Sequence, residues 1–174
     1  MGMPKIPDGL SRSASRRTLL FAAMSAGLCT VAGCAHQPNT APTVLFVCRY
    51  GTVKSAVARE LLRRNARARG VAVTVMSRGI EPADHMTDPL KRRLQTDAID
   101  PTRDIVTRLD AETLAGVDIV VLFDSLPPGF SRADAKNWSD MPSMNEDYDR
   151  AREFLDPRID ALLAEVARLN GARR

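Results

Sequence analysis

The sequence predicts a doubly wound α/β fold, three layers deep, around a parallel four-stranded sheet. Three observations carry that prediction. Val44 to Val47 is an unbroken apolar run, the pattern of a strand buried on both faces of a parallel sheet. Val57, Ala58, Leu61, Leu62 and Ala66 then share one helical face. β-branched runs and capped helical segments keep alternating after that. With 174 residues, 44% of them hydrophobic and 26% charged, the chain has the composition of a single globular domain.

Before the first strand comes a segment that does not belong to the fold. Residues 14–34, ASRRTLLFAAMSAGLCTVAGC, place basic residues ahead of an apolar run that ends in small residues, the layout of an export signal. Ser15-Arg16-Arg17-Thr18-Leu19-Leu20 resembles the twin-arginine export motif, and an Arg pair in that place also suits the general export route. Val31-Ala32-Gly33-Cys34 resembles the lipobox of bacterial lipoproteins, which implies an acylated Cys34 as the first mature residue. Sixteen residues, Thr18 to Gly33, separate Arg17 from Cys34, fewer than the roughly 20 of a membrane-spanning helix. The expected organisation is a signal peptide over 1–33, a tether over 34–42 and a domain over 43–174, exported and lipid-anchored at the outer face of a bacterial membrane.

Within the domain, the first strand ends at Cys48 and the first helix begins at Lys54-Ser55, with Gly70 closing it. Arg59, Glu60, Arg63, Arg64 and Arg67 fall largely opposite its apolar face and are expected in solvent. Val71 to Met76 is β-branched enough for a second strand, with Ser77-Arg78-Gly79 as its exit turn. A short helix follows from Asp88-Pro89, where Asp can cap and Pro suits the first turn. Ile99 to Leu109 fits neither pattern. Asp110 caps another helical turn, and Asp118 to Phe123 is the next clear strand. Residues 125–145 are rich in Ser, Pro, Gly, Asn and Asp and form a long loop, with room for one short strand near Trp138. From Tyr148, apolar residues recur in three- and four-residue steps to Leu169, and Asp156-Pro157 either caps a second helix or kinks a single one.

Charge and cysteine usage exclude several functions. Lys5, Arg12, Arg16 and Arg17 against Asp8 put +3 of the formal +4 into residues 1–33, leaving +1 for the rest. A domain so near neutrality has no global attraction for nucleic acid. Of three cysteines, Cys29 lies in the leader and Cys34 at the anchor, so Cys48 stands alone. It has no disulfide partner, and no cluster of Cys and His supplies a metal-ligand set, so neither metal nor cofactor is implied.

The segment Thr43 to Ala56, TVLFVCRYGTVKSA, concentrates the chemistry. A strand that ends in Cys48, passes through Arg49-Tyr50-Gly51-Thr52-Val53 and enters a helix at Lys54-Ser55 gathers backbone N–H groups around one point, which attracts a phosphate-like anion and favours the nucleophilic thiolate. Gly51 permits positive φ. Ser55 is placed to donate a hydrogen bond to the thiolate, and Tyr50 to stack on an aromatic substrate. Arg49 faces either substrate or solvent. The bland alternative is an inert buried cysteine at a strand end. His85 has no evident partner.

This segment resembles the active-site loop of the low-molecular-weight protein tyrosine phosphatases and of the arsenate reductases that share their fold: Cys, five residues, Arg, then Ser or Thr. Cys48 and Ser55 match, and Lys54 stands at the Arg position. Ser77-Arg78-Gly79 and Trp138-Ser139-Asp140-Met141-Pro142 fall where the family has its second-strand exit and its acid-bearing loop. The resemblance implies that the Cys48 thiolate attacks phosphorus, residues 49–55 hold the phosphate, Lys54 supplies the cation, and a phosphocysteine is then hydrolysed. It makes Asp140 the candidate general acid, although the family's acid directly precedes its Pro and here Met141 does, which leaves Asp147, Asp149 or another group as alternative sources of the proton. Lys keeps the charge of Arg but not the planar fork that grips two oxygens.

The function expected on these grounds is phosphomonoester hydrolysis of the tyrosine-phosphatase type. Arsenate reduction coupled to an external small thiol is the second expectation, set back by export from the thiol-rich cytoplasm. A catalytically weak oxyanion-binding module, in which Lys54 retains binding without turnover, is the third.

Overall fold

The computed structural model describes residues 41–173; the expected signal peptide, Cys34 and the tether as far as residue 40 lie outside them. Strand β1 (Thr43–Cys48) leads through a loop into helix α1 (Lys54–Ala68), which is followed by β2 (Thr74–Gly79), α2 (Asp88–Thr96), α3 (Ala111–Gly116), β3 (Ile119–Leu122), β4 (Lys136–Asn137) and α4 (Tyr148–Ala172). All strand pairings are parallel, in the order β2-β1-β3-β4. The sheet and its flanking helices thus form the expected three-layer α/β fold.

β1 is central because its sequence leaves it no exposed face. Val44, Leu45, Phe46 and Val47 are each 0% exposed, and their alternation divides the core in two. Val44 and Phe46 pack with α1 and α4, where Phe46, Phe123 and Trp138 meet ring to ring. Leu45 and Val47 pack on the opposite face with Leu114 of α3 and with Leu109, Val117 and Val120. Among the described residues no helix is long and apolar enough to cross a membrane.

The structure corrects several expectations. β2 lies three residues later than the β-branched run, and Ser77-Arg78-Gly79 completes the strand instead of turning out of it. Register explains the shift: β1 pairs with β2 from Thr43↔Thr74 to Cys48↔Gly79, so partnership along all of β1 outweighs local propensity. Thr74 N–H donates to Pro42 O at 2.9 Å, so the last residue assigned to the tether already meets the sheet. In α2 it is Thr87, not Asp88, that occupies the cap position. α4 runs as one helix through Pro157, settling the alternative between one helix and two. The ambiguous segment after α2 holds a 3₁₀ turn at Pro101–Arg103 and a parallel bridge between Gly79 and Arg108. Other boundaries follow the sequence closely: Gly70 takes φ +64° after α1 and Asp110 caps α3 by accepting Thr113 N–H at 2.7 Å.

The largest correction concerns α1. Arg59 and Glu60, expected in solvent, are only 2% and 8% exposed. Arg59 lies four residues beyond buried Ser55, on the same side of the helix. Its guanidinium donates to Glu60 Oε1 (2.9 Å), Ser77 Oγ (2.6 Å) and the Pro101 carbonyl (2.8 Å), and stands 3.5 Å from Asp104 Oδ2. Such satisfaction is what permits a charge to be buried.

Candidate active site

The carboxyl end of β1 delivers Cys48 to the floor of a cleft of about 280 Å³. The loop contributes Arg49, Tyr50, Val53 and Lys54 to its lining. His85 closes another side, as do Asp124 beyond β3 and Ser143, Met144 and Asn145 ahead of α4. This is the crevice at the carboxyl ends of parallel strands where doubly wound folds bind their ligands.

Two polar groups converge on sulfur. Cys48 Sγ lies 3.0 Å from Ser55 Oγ, and the Gly51 N–H donates to it at 3.2 Å. The thiol is 4% exposed and Ser55 0%, so both contacts are shielded from competing water. Gly51 reaches this position with φ +78°, and a Cβ there would come within 2.9 Å of Gly79 N and 2.7 Å of Val106 Cγ1. Gly79 is constrained in return, since a Cβ on it would stand 2.9 Å from the Tyr50 carbonyl carbon and oxygen. The strand exit and the loop therefore approach backbone to backbone, which only a glycine pair allows.

The other loop residues take distinct places. Lys54 opens α1 and lines the cleft, its Nζ donating to the Met141 carbonyl at 3.1 Å. Arg49 sends its guanidinium to Glu81 Oε2 at 3.0 Å, a partnership that raises its pKa through that hydrogen bond first and the charge of Glu81 next. Its backbone N–H donates to Asp124 Oδ2 at 2.8 Å. Thr52 Oγ1 donates to the Ala83 carbonyl, fastening the loop to the segment that carries His85. The His85 ring packs against Tyr50 with centroids 4.4 Å apart and the planes tilted by 40°, so the histidine for which the sequence offered no partner forms part of the wall. Asn145 Oδ1 accepts the N–H and Oγ1–H of Thr87, and its Nδ2 donates to the His85 carbonyl, which ties the loop ahead of α4 across the cleft.

Asp140 is not brought to this site. It is absent from the lining, and its exposed carboxylate lies 3.5 Å from Arg158 Nη2. The residue that occupies the position before Pro142, Met141, is buried with 4% exposure and meets Lys54 through its carbonyl. Asp147 is spent as the cap of α4, accepting the Arg150 N–H, and Asp149 pairs with Arg93. Asp124, His85 and Asn145 were missed in the sequence because their proximity to Cys48 is created by β3 pairing and by loop contacts across 37 to 97 residues. The only local signal was the position of Asp124 just beyond a strand end. Among the described residues no cluster of three or more His, Cys, Asp or Glu is placed to hold a metal ion.

Comparison with known proteins accords with this geometry. The family model described as low molecular weight phosphotyrosine protein phosphatase matches residues 43–157, and the chain belongs to that family. Among solved structures the chain is similar to YfkJ from Bacillus subtilis, with 16% identity, a TM-score of 0.61, and 73% of this chain and 95% of that one covered. It is also similar to the low molecular weight protein tyrosine phosphatase of T. tengcongensis, with 20% identity, a TM-score of 0.60, and 71% and 99% covered. An arsenate reductase in the phosphate binding state shares the fold at 19% identity, with a TM-score of 0.56 and 72% and 98% covered. No curated protein matches the chain.

Proposed function

We propose that the protein is a cysteine-dependent phosphomonoester hydrolase of the tyrosine-phosphatase type, working through a phosphocysteine intermediate. The observation that carries this reading is the pair of polar contacts on one shielded sulfur, Ser55 Oγ at 3.0 Å and the donating Gly51 N–H at 3.2 Å, on the floor of a cleft that Lys54 also lines. A thiolate so held attacks phosphorus as the bond to the leaving oxygen breaks. The loop amides and Lys54 stabilise the charge on the transferring group. Water then cleaves the phosphorus–sulfur bond and restores the thiolate.

Lys54 stands where the family places Arg, and this governs the expected rate. Its ammonium offers a point charge without a bidentate grip, and its contact with the Met141 carbonyl draws it toward the far wall. That contact favours a second reading, an oxyanion-binding module that holds phosphate without turning over esters. The decisive measurement is aryl phosphate hydrolysis by the full chain beside Cys48→Ser and Lys54→Arg. The parent is expected to turn over, Cys48→Ser to be inactive, and Lys54→Arg to gain on the order of tenfold from a second charge-assisted bond. A parent as inactive as Cys48→Ser refutes the hydrolase. Vanadate binding by a parent that does not turn over, with turnover only in Lys54→Arg, establishes the module. Arsenate loss dependent on a small added thiol identifies a reductase.

The leader supports a further element of the proposal, export and lipid anchoring through Cys34. A fatty-acid analogue fed to expressing cells is expected to label the parent and not Cys34→Ala. Equal labelling of the two rejects the anchor.

A further inference from the structure

Asp124 is the one carboxylate among the described residues that line the Cys48 cleft. β3 pairs with β1 as far as Val47↔Leu122, and the Phe123 N–H donates to Val47 O at 2.9 Å. That register carries Asp124 past the strand end to the side of Cys48 and Arg49. The strand order β2-β1-β3 makes the β1/β3 boundary the switch point, from which the chain departs in opposite directions and leaves a crevice. Asp124 Oδ2 accepts the Arg49 backbone N–H at 2.8 Å, whereas Oδ1 takes no hydrogen bond from the described residues. One oxygen is thus anchored to the phosphate loop and the other is left for a proton.

We propose that Asp124, and not Asp140, is the general acid and base of the reaction, an assignment that rests on the hydrolase reading above. In the first step the Cys48 thiolate forms a bond to phosphorus and the bond to the leaving oxygen breaks. The electron pair stays on that oxygen, which takes the proton from Asp124 Oδ1. In the second step a water oxygen attacks the phosphocysteine, Asp124 takes a proton from the water, and the phosphorus–sulfur pair returns to Cys48 as phosphate leaves. The carboxyl proton lent in the first step is recovered in the second.

Asp124→Asn separates chemistry from support, because the Asn side-chain oxygen still accepts the Arg49 N–H while no acidic proton remains. The full chain is assayed on phenyl phosphate, whose leaving group has a pKa of about 10, and on p-nitrophenyl phosphate, whose leaving group is far more acidic. Asp124→Asn is expected to lower kcat/KM, which reports the leaving-group step, on phenyl phosphate by roughly 10² to 10⁴, and to lower it at least about tenfold less on the activated ester. Vanadate affinity close to that of the parent shows that the variant's site is intact. Equal losses of kcat/KM on both esters, or no loss, overturn the proposal. So does a loss selective for phenyl phosphate in Asp140→Asn or His85→Gln. A parent indistinguishable from Cys48→Ser removes the hydrolase reading and this assignment with it, and is told apart by that comparison alone.

Discussion

Of the cations on helix α1, Lys54 and Arg59 stand five residues apart, and the fold uses them in opposite ways. Arg59 is 2% exposed, with Glu60, Ser77, Pro101 and Asp104 around its guanidinium. Lys54 lines the cleft, and its one hydrogen-bond partner among the described residues is a neutral carbonyl. A cation whose three nitrogens donate to a carboxylate, a hydroxyl and a carbonyl has no capacity left for a substrate. A cation held only by a carbonyl keeps its full charge uncompensated and remains a ligand for an anion. The number and charge of the partners, more than the residue type, separates the structural cation from the functional one.

Removing Arg59 gives the largest expected effect. Arg59→Ala leaves Ser77 Oγ and the Pro101 carbonyl without their donor and strips Glu60 of one of its two cations, the other being Arg63 at 2.9 Å. Breaking a buried ion network from one side costs about 3–5 kcal/mol, to be read as a lower urea midpoint. Lys54→Met keeps the apolar stem and is expected within about 0.5 kcal/mol of the parent, yet to lose at least about tenfold in vanadate affinity. An Arg59→Ala protein as stable as the parent, or a Lys54→Met protein that binds vanadate unchanged, breaks the comparison.

This asymmetry also shows what the sequence carries. The strand, loop and helix start from Thr43 to Ser55 were legible because their chemistry is contiguous: an apolar run, a Cys, a loop glycine and a helix-starting Ser lie within thirteen residues. The apolar face of α1 was legible for the same reason. Burial of Arg59 was not, because its partners arrive from β2 and from the turn at Pro101–Arg103, 18 and 42 residues away. Helical periodicity assigns an Arg to solvent unless a neighbouring segment brings acceptors to it. The far wall of the cleft was hidden on the same grounds. Asp140 stands near a Trp and a Pro in sequence but faces Arg158, whereas the pairing of β3 with β1 brings Asp124 to the cleft that Cys48 lines. β2 was displaced by three residues because its extent is set by its partner strand.

The smallest effect concerns the rim of the Arg59 network and shows how far its burial extends. Asp104 lies 2.7 Å from Arg63 Nη2 and 3.5 Å from Arg59, with 39% of its side chain exposed. The hydrogen bond from Arg63 chiefly, with the charges of Arg59 and Arg63 adding, holds its carboxyl below the usual carboxylate range in the folded chain. A carboxylate with a depressed folded pKa stabilises the fold above its unfolded pKa, and that contribution disappears as pH falls through the folded value. The stability difference between parent and Asp104→Asn is therefore expected to stay constant between pH 6 and 8, at under about 1 kcal/mol for so exposed a pair. It should shrink below about pH 4, where the unfolded carboxyl begins to protonate. Thermal unfolding of both proteins across that range is the measurement. A difference that instead grows on acidification would mean that Asp104 opposes the network, and that Arg59 owes its burial to Glu60, Ser77 and the Pro101 carbonyl alone.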